Sequence, residues 1–156
     1  MKLSTRGRYG LRLIVDLGIH ATDAPVFLKD IAQRQDVSEK YLWNLINPLK
    51  TAGLVVSVRG PRGGYLLGKN ISEITIKDIL LAVEDDLCLV DCVNHPETCL
   101  RAKNCIFRDF WGEIASDFSR LLSSRTLEDL IRKQKQGDKN EKDHVVCSCS
   151  NNTHTV

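Results

Sequence analysis

The sequence lacks any run of about 18 apolar residues, the length that a membrane-spanning helix needs. The most apolar N-terminal stretch, residues 11–19, is interrupted by Arg12 and Asp16, so it fits neither a membrane span nor a secretory signal. The sequence also lacks a phosphate-binding glycine loop, a dinucleotide-binding fingerprint and a paired nucleophile and base. These absences predict a cytoplasmic protein that is not an enzyme.

Cysteine is absent from the first 87 residues, although the chain has six. Four of the six lie within 18 residues, and two lie in a polar tail: Cys88, Cys92, Cys99 and Cys105, then Cys147 and Cys149. In a chain without an export signal, clustered thiols are more typical of metal ligands or redox centres than of a disulfide framework. For Cys147 and Cys149 the sequence leaves three alternatives: a soft-metal site, a pair of oxidisable thiols, or incidental surface thiols.

Charge is distributed unevenly along the 156 residues, although the net charge is only +2. Residues 1–70 carry 11 Lys/Arg against 5 Asp/Glu, whereas residues 71–156 carry 11 against 15. The 42% hydrophobic and 27% charged composition is that of a globular protein with a core. A basic first half followed by an acidic second half predicts a polyanion as the partner of the first half.

Periodicity predicts a mainly α-helical fold with a small β-hairpin. Apolar residues recur at helical spacing over residues 4–20, 28–34 and 38–51. The period changes over residues 54–58 and 65–67, which predicts two strands around a basic, glycine-rich loop. Two short helices with a tight turn between them, followed by a hairpin, predict a winged helix-turn-helix DNA-binding domain over residues 1–84.

The remaining residues divide by pattern into three segments. Residues 85–105 predict a cysteine-rich loop, residues 106–133 a long dimerisation helix and a short C-terminal helix, and residues 134–156 a disordered tail. The long helix carries an apolar stripe at nearly heptad spacing, which predicts a symmetric homodimer. The predicted dimerisation residues are Phe107, Phe110, Trp111, Ile114, Phe118 and Leu121. The alternative is that this stripe packs on the N-terminal domain of its own chain.

The predicted recognition helix and wing have side chains suited to DNA. Lysine and hydroxyl groups suit phosphates, asparagine can pair with an adenine edge, and tryptophan offers an apolar contact to a thymine methyl. Arginine suits a narrow minor groove, and glycine lets the backbone come close. The predicted DNA-binding residues are Arg6, Arg8, Ser38, Lys40, Tyr41, Trp43, Asn44, Arg59, Arg62, Gly63 and Gly64. The predicted partner is double-stranded DNA with a pseudo-palindromic operator.

The spacing Cys92-x6-Cys99-x5-Cys105 is wider than the tight pairs of most zinc sites. Such gaps leave a loop that can surround a larger inorganic cluster. A zinc site and a pair of redox-switching thiols are the alternatives. A small iron–sulfur electron carrier is an alternative from a different class of protein, but it would not need a basic helix pair and a wing.

Two sequence motifs and the three cysteines resemble a known family. Residues 1–10, MKLSTRGRYG, and residues 58–67, VRGPRGGYLL, are similar to the winged-helix regulators that include IscR, NsrR, RirA and CymR. The resemblance implies a homodimeric transcription factor in which Cys92, Cys99 and Cys105 hold an iron–sulfur cluster. For an IscR-like member it implies a 2Fe-2S cluster and control of cluster biogenesis genes. The other family types imply a nitric oxide sensor, for which a 4Fe-4S cluster fits, or a thiol-redox or cysteine-metabolism repressor without a cluster.

The fourth cluster ligand departs from the family pattern. IscR-like members imply a histidine three positions after the last cysteine, where this sequence has Arg108. An NsrR-like aspartate near the N-terminus is replaced by Arg8. Arginine stays protonated and is a very poor ligand. His95 and Cys88 are therefore the two candidates from this chain, with an exogenous thiol as the alternative.

Overall fold

The computed structural model describes residues 3–21, 24–84, 87 and 89–141. Seven helices and one hairpin are described among these residues, which confirms the mainly α-helical fold with a small β-hairpin. Their bounds are α1 Thr5–His20, α2 Leu28–Gln35, α3 Glu39–Thr51, β1 Val55–Val58, β2 Gly64–Leu67, α4 Ile76–Val83, α5 Asp91–Asn94, α6 Ile106–Ser123 and α7 Leu127–Glu141. Two short 3-10 turns lie at Pro96–Thr98 and Ala102–Asn104.

Local capping explains where the first and third helices begin. The hydroxyl of Ser4 accepts a hydrogen bond from the Gly7 N–H at 3.2 Å, and the hydroxyl of Ser38 accepts one from the Tyr41 N–H at 3.2 Å. Each bond satisfies a backbone donor that a helix leaves unpaired in its first turn. Between α2 and α3 the chain turns at Asp36, whose φ of 51° is left-handed. This short turn joins α2 to α3, and the two helices pack together.

The hairpin is antiparallel, with Val55 opposite Leu67 and Val58 opposite Gly64. A single additional bridge joins Val26, just before α2, to Tyr65 in β2. Its two hydrogen bonds, Val26 N–H to the Tyr65 carbonyl at 3.0 Å and the reverse at 2.9 Å, hold the wing against the helix-turn-helix. The orientation of the wing is therefore fixed by backbone bonds as well as by packing.

One apolar core extends through the first half of the chain and includes the beginning of α7. Residues Thr75 and Thr126 form a backbone bridge, which places Leu127 and Ile131 of α7 in the core. Each of these two side chains is less than 5% exposed. The completely buried core members include Leu13, Ile14, Leu17, Ile31, Leu45, Ile46, Leu49, Ile74, Ile79 and Val83. The start of α7 thus packs with residues 3–84 rather than as a separate C-terminal unit.

Two segments differ in detail from the patterns described above. Residues 85–105, predicted as a cysteine-rich loop, include α5 and both 3-10 turns, which are too short to produce a helical period in the sequence. Helix α7 continues to Glu141, although composition predicts a disordered tail from residue 134, and residues 142–156 lie outside the described residues. None of the described helices is both long and apolar enough to cross a bilayer.

Candidate nucleic-acid interface and cysteine segment

Helix α3 separates a buried face from an exposed one. Leu42, Leu45, Ile46 and Leu49 pack into the core, while the opposite face carries Lys40, Trp43, Asn44 and Asn47. The four outward residues follow a spacing of three and four, so they share one side of the helix. The Ser38 hydroxyl is engaged as the cap of this helix, so its first role is structural. The predicted base-reading side chains Trp43 and Asn44 are both exposed.

The wing presents two unpaired guanidinium groups. Arg59 and Arg62 lie in the loop between β1 and β2, and both are exposed. Neither forms an ion pair or a hydrogen bond with any residue that the structure describes. Positive charge that is not neutralised within the protein remains available to an anion such as a phosphate.

The two glycines of the wing have an internal role. A Cβ at Gly64 would lie 2.6 Å from the Val26 carbonyl oxygen, and the φ of Gly64 is +149°. A Cβ at Gly63 would lie 2.5 Å from the Val58 carbonyl oxygen, and Gly63 is buried. Glycine at these positions is required because the hairpin closes tightly on itself and on the backbone of Val26 just before α2. Both glycines therefore meet a packing requirement inside the protein, and their contact with DNA stays a prediction.

An aromatic contact joins the wing to the recognition helix. The rings of Trp43 and Tyr65 meet edge to face, with centroids 6.4 Å apart and planes at 86°. Tyr65 is only 9% exposed, and burial raises the pKa of its hydroxyl, with a further contribution from the nearby Glu39 carboxylate. Trp43 remains 47% exposed. One edge of the indole is thus held by the wing while the rest faces outward.

The N-terminus of α1 forms a second cationic surface. Arg6 and Arg8 are exposed, and the Arg8 guanidinium lies 5.0 Å from the centroid of the Tyr9 ring. Tyr41 of α3 meets Tyr9 edge to face at 5.6 Å. The Tyr41 hydroxyl is buried, burial raises its pKa, and it has no hydrogen-bond partner among the described residues. Tyr41 therefore departs from the prediction of a phosphate contact, since its hydroxyl faces the α1–α3 junction.

A buried carboxylate ties α1 to α2. Asp16, which is 3% exposed, accepts two bonds from the Arg34 Nε, at 3.0 and 3.2 Å, and one from its Nη2 at 2.6 Å. The Gln35 side-chain amide donates to the same carboxylate at 2.9 Å. The hydrogen bond to Asp16 is the largest cause that raises the pKa of Arg34. This ion pair was not predicted from the sequence. The charged Asp16 on the apolar side of α1 is the feature that could have indicated it.

The three described cysteines lie in one short segment of the chain. Cys92 lies in α5, Cys99 directly follows the first 3-10 turn, and Cys105 caps α6; all three are free and half-buried. No three His, Cys, Asp or Glu side chains within the described ranges converge on one metal-sized site. Cys88, Cys147 and Cys149 lie outside the described residues.

Two neighbours of these thiols already have partners. The Arg108 Nε donates to the Cys92 carbonyl at 2.9 Å, so this residue holds α5 against the first turn of α6. The His95 Nδ1 lies 3.2 Å from the Glu97 Oε1, and both side chains are more than half exposed. Arg108 therefore has a structural role where a fourth ligand is expected, and a ligating His95 would have to leave its carboxylate partner.

Helix α6 has two apolar faces. Ala115, Phe118 and Leu122 line the groove that α6 forms with α4, and Phe118 is half-buried there. The other face is exposed: Phe107 is 68%, Phe110 is 52% and Leu121 is 53% accessible. Ile106, Trp111 and Ile114 extend this exposed stripe. Phe118 thus packs within its own chain, whereas the other five predicted dimerisation residues remain uncovered.

A family match covers this whole arrangement. Residues 3–133 match Rrf2, a family described as iron-dependent transcriptional regulators. The chain belongs to the Rrf2 family. It is 42% identical over 132 residues to the protein rrf2 of Nitratidesulfovibrio vulgaris, covering 85% of this chain and 88% of that protein. It is 38% identical over 134 residues to IscR of Photorhabdus laumondii, covering 86% and 81%.

Solved structures give the same assignment. The Bacillus subtilis protein CymR, titled the global cysteine regulator, is 40% identical, with a TM-score of 0.70 and coverage of 85% of this chain and 98% of that one. The T. potens IscR is 34% identical, with a TM-score of 0.72 and coverage of 88% and 90%. These matches confirm the predicted family and the winged helix-turn-helix fold of an Rrf2 transcriptional regulator.

The donor chemistry of this Rrf2 protein fits an iron–sulfur cluster. Thiolates are the usual ligands of such clusters, and Cys92, Cys99 and Cys105 are free, partly accessible and within one segment of 14 residues. The residues present therefore supply the thiolate ligands that such a cluster needs.

Proposed function

We propose that this Rrf2 protein is a cytoplasmic, homodimeric regulator that binds a pseudo-palindromic operator and senses iron–sulfur cluster status. DNA binding is carried by one observation: the exposed face of α3 and the unpaired Arg59 and Arg62 of the wing are joined by the Trp43–Tyr65 contact. A helix that enters the major groove and a basic wing beside it are the two elements that winged helix-turn-helix proteins bring to a duplex. Arg6 and Arg8 at the start of α1 add a further cationic surface.

A charge-matched pair of variants tests the DNA interface. Arg59→Ala with Arg62→Ala should weaken binding to a genomic fragment recovered by the protein, and should lower the slope of log affinity against log salt by about one for each phosphate that the variant no longer neutralises. Lys133→Ala with Lys135→Ala removes the same charge from exposed positions on α7 and should leave the slope unchanged. Equal effects of the two double variants would show that the wing contributes only through the net charge of the protein. That result would contradict the proposal.

Cluster sensing is supported by the three thiols and by the description of the family. Cys92, Cys99 and Cys105 would hold an iron–sulfur cluster, with the fourth ligand from His95, Cys88 or an exogenous thiol. When bound, such a group supplies a response to iron, oxygen or nitric oxide. The IscR relatives support a 2Fe-2S cluster and control of cluster biogenesis genes as the specific case.

The cysteine segment is attached to α6, and this attachment gives a route by which binding of a cluster changes binding to DNA. Cys105 is the residue before α6, and Arg108 in its first turn is bonded to the Cys92 carbonyl. A movement of these residues on cluster binding would therefore be transmitted to the first turn of α6, which carries the exposed Ile106 and Phe107. In a dimer that uses this face, such a movement changes the spacing and tilt of the two recognition helices. Equal DNA affinities with and without bound cluster, at every operator, would contradict this route.

The first measurement is iron and acid-labile sulfide per protomer, with a visible spectrum, on protein purified without oxygen. Two of each supports the IscR-like assignment, and four of each supports an NsrR-like nitric oxide sensor. Cys92→Ser, Cys99→Ser and Cys105→Ser should each lose the chromophore, whereas Cys147→Ser with Cys149→Ser should retain it. A change of spectrum in only one of His95→Ala and Cys88→Ala identifies the fourth ligand.

A thiol-redox or cysteine-metabolism repressor is the second candidate function. It is favoured by two observations: the three described thiols are free, and the chain is 40% identical to CymR, titled the global cysteine regulator. Protein that remains colourless after cluster reconstitution, yet changes its DNA affinity on oxidation, would select this candidate. Protein that carries iron and sulfide but binds no DNA would instead favour an electron carrier.

A further inference from the structure

A cavity of about 660 Å³ lies between α1, α2 and α7. Small-molecule sites in proteins have volumes of roughly 300–1,000 Å³. One wall of the cavity is apolar and consists of Leu11, Val15, Ile19 and Leu130. These four side chains pack against the core but are only half-buried, so they present apolar surface to the cavity. The cavity thus has the size and the apolar wall of a small-molecule site.

The other wall of the cavity is polar and positively charged. It consists of Arg12, Asp16, His20, Arg34 and Gln35. The Asp16 carboxylate is buried and already accepts hydrogen bonds from Arg34 and Gln35, so it offers little to a ligand. The two guanidinium groups outnumber this carboxylate, because arginine stays protonated in proteins. The polar wall therefore attracts an anion.

Both guanidinium groups are held in place by bonds that leave one nitrogen of each for a ligand. The Arg12 Nε donates to the Gln35 Oε1 at 2.8 Å, and its Nη2 donates to the Gln35 carbonyl at 3.2 Å. Arg34 uses the same two nitrogens, Nε and Nη2, for Asp16. The Nη1 of each group is the remaining donor. Because both side chains are already ordered, little side-chain entropy is lost when an anion binds.

We propose that this cavity binds a small carboxylate with an apolar chain, with the carboxylate on Arg12 and Arg34 and the chain on the apolar wall. Guanidinium groups bond strongly to carboxylates because both partners are charged and their geometries match. An apolar chain gains free energy by leaving water for the apolar wall. A small inorganic anion would leave that wall in contact with water, and a neutral or cationic compound would leave the guanidinium groups unused. A molecule with one anionic end and one apolar end satisfies both walls.

The cavity adjoins the helix-turn-helix, so its occupancy can influence DNA binding. Gln35 is the last residue of α2, and Asp36 in the turn to α3 follows directly. The guanidinium groups of Arg8 and Arg12 lie 5.0 and 5.1 Å from the centroid of the same Tyr9 ring. A carboxylate bound to Arg12 neutralises part of this positive charge, so affinity for DNA phosphates should fall. This effect on DNA rests on the proposed DNA-binding function, whereas the site itself does not.

Four probes of matched chemistry test the site on the full chain without DNA. Octanoate has both required ends, acetate lacks the chain, octylamine reverses the charge and octanol removes it. In isothermal titration calorimetry, octanoate should bind about tenfold more tightly than each of the other three. Arg12→Gln should weaken octanoate binding about tenfold, whereas Arg120→Gln, which removes an exposed arginine of α6, should leave it unchanged. Equal affinities for octanoate and octanol, or equal octanoate affinities of the wild type and Arg12→Gln, would overturn the site.

A cavity-filling variant tests the apolar wall separately from the charge. Val15→Phe places a larger side chain in the cavity and should weaken octanoate binding while leaving acetate binding unaffected. Circular dichroism checks that this variant keeps its helices, and if it unfolds, Arg12→Gln decides the question alone. A folded Val15→Phe that binds octanoate as the wild type does would overturn the place of the chain.

The effect on DNA is measured with a duplex selected from a random pool by the wild-type protein. Saturating octanoate should lower the affinity for this duplex about fivefold in the wild type, and by less in Arg12→Gln at the same concentration. Octanoate that binds without changing DNA affinity would overturn the effect on DNA and leave the site standing. A protein that binds octanoate but no duplex would contradict the proposed function, and the effect on DNA with it.

Discussion

The winged-helix half and the α6 half of this molecule differ in how much of their apolar surface a single chain buries. Helix α3 buries four of its thirteen residues, whereas α6 has no buried residue in eighteen. The first half has a continuous core and a paired buried carboxylate, while the second has an exposed aromatic stripe and separate thiols. The comparison shows a winged-helix core that is closed by the start of α7, joined to a helix whose aromatic stripe stays exposed in one chain.

Removing one aromatic ring from α6 should have the largest effect, because a symmetric interface contains each residue twice. We expect Phe110→Ala to weaken dimerisation about a thousandfold, counting about 2 kcal/mol for the ring in each protomer. Sedimentation at a series of concentrations measures the dissociation constant. Glu113→Ala, an exposed polar residue of the same helix, should have little effect. Dimerisation that is unaffected by the loss of Phe110 would show that this stripe is not the dimer interface.

The ion pairs of two aspartates, one in each half, differ in how deeply they are buried. Asp16 is buried and bonded to Arg34 and Gln35, whereas Asp117 forms an ion pair with Arg120 in which both side chains are more than 60% exposed. Asp16→Asn should lower the free energy of unfolding by about 3 kcal/mol, because it leaves a guanidinium without its charge partner. Asp117→Asn should change it by less than about 0.5 kcal/mol. Urea unfolding at one protomer concentration measures both, and similar values for the two variants would contradict the comparison.

Two glycines, one in each half, differ in the space that an added side chain would find. Gly64 has a φ of +149° and the Val26 carbonyl oxygen 2.6 Å from an added Cβ, whereas an added Cβ at Gly112 of α6 meets nothing within 4 Å. Gly64→Ala should cost about 2 kcal/mol of unfolding free energy, since strain and backbone overlap combine. Gly112→Ala should increase it by about 0.5–1 kcal/mol, the gain of alanine over glycine inside a helix. A loss of stability at Gly112 would indicate that a partner approaches α6 at that position.

The same contrast explains what could be predicted from the sequence. Long helices and the hairpin follow from periodicity, and the N-cap at Ser38 and the capping box at Thr75 and Asp78 follow from residue type. Helix α5, with four residues, has no detectable period, so the sequence predicts a loop there. Periodicity therefore locates the elements of the first half and leaves the cysteine segment undefined.

Features that depend on the direction in which side chains pack could not be predicted from the sequence. The apolar stripe of α6 gives no sign that Phe118 turns toward α4 while Phe110 remains outside. The buried Tyr41 hydroxyl and the internal role of Gly64 likewise depend on neighbours distant in the chain, Tyr9 and Val26. The resemblance identifies the family and the three cysteines, but not that the Arg108 side chain bonds to the Cys92 carbonyl. Side-chain orientation is the missing information in each case.

The smallest predicted effect concerns pH and the beginning of α7, the element that joins the C-terminal residues to the core. Asp129 accepts hydrogen bonds from the Thr126 N–H at 3.1 Å and the Thr126 hydroxyl at 3.2 Å, and it pairs with Arg132. The backbone bond is the largest cause that lowers the pKa of Asp129. A lowered pKa in the folded state means that the carboxylate stabilises the fold above its ordinary pKa, and that this contribution is lost as the pH falls through the lowered value. Asp129→Asn should therefore be less stable than the wild type near neutral pH, and the difference between their urea midpoints should shrink on acidification. A difference that stays constant across the acid range would assign the effect to packing of α7 rather than to the charge of Asp129.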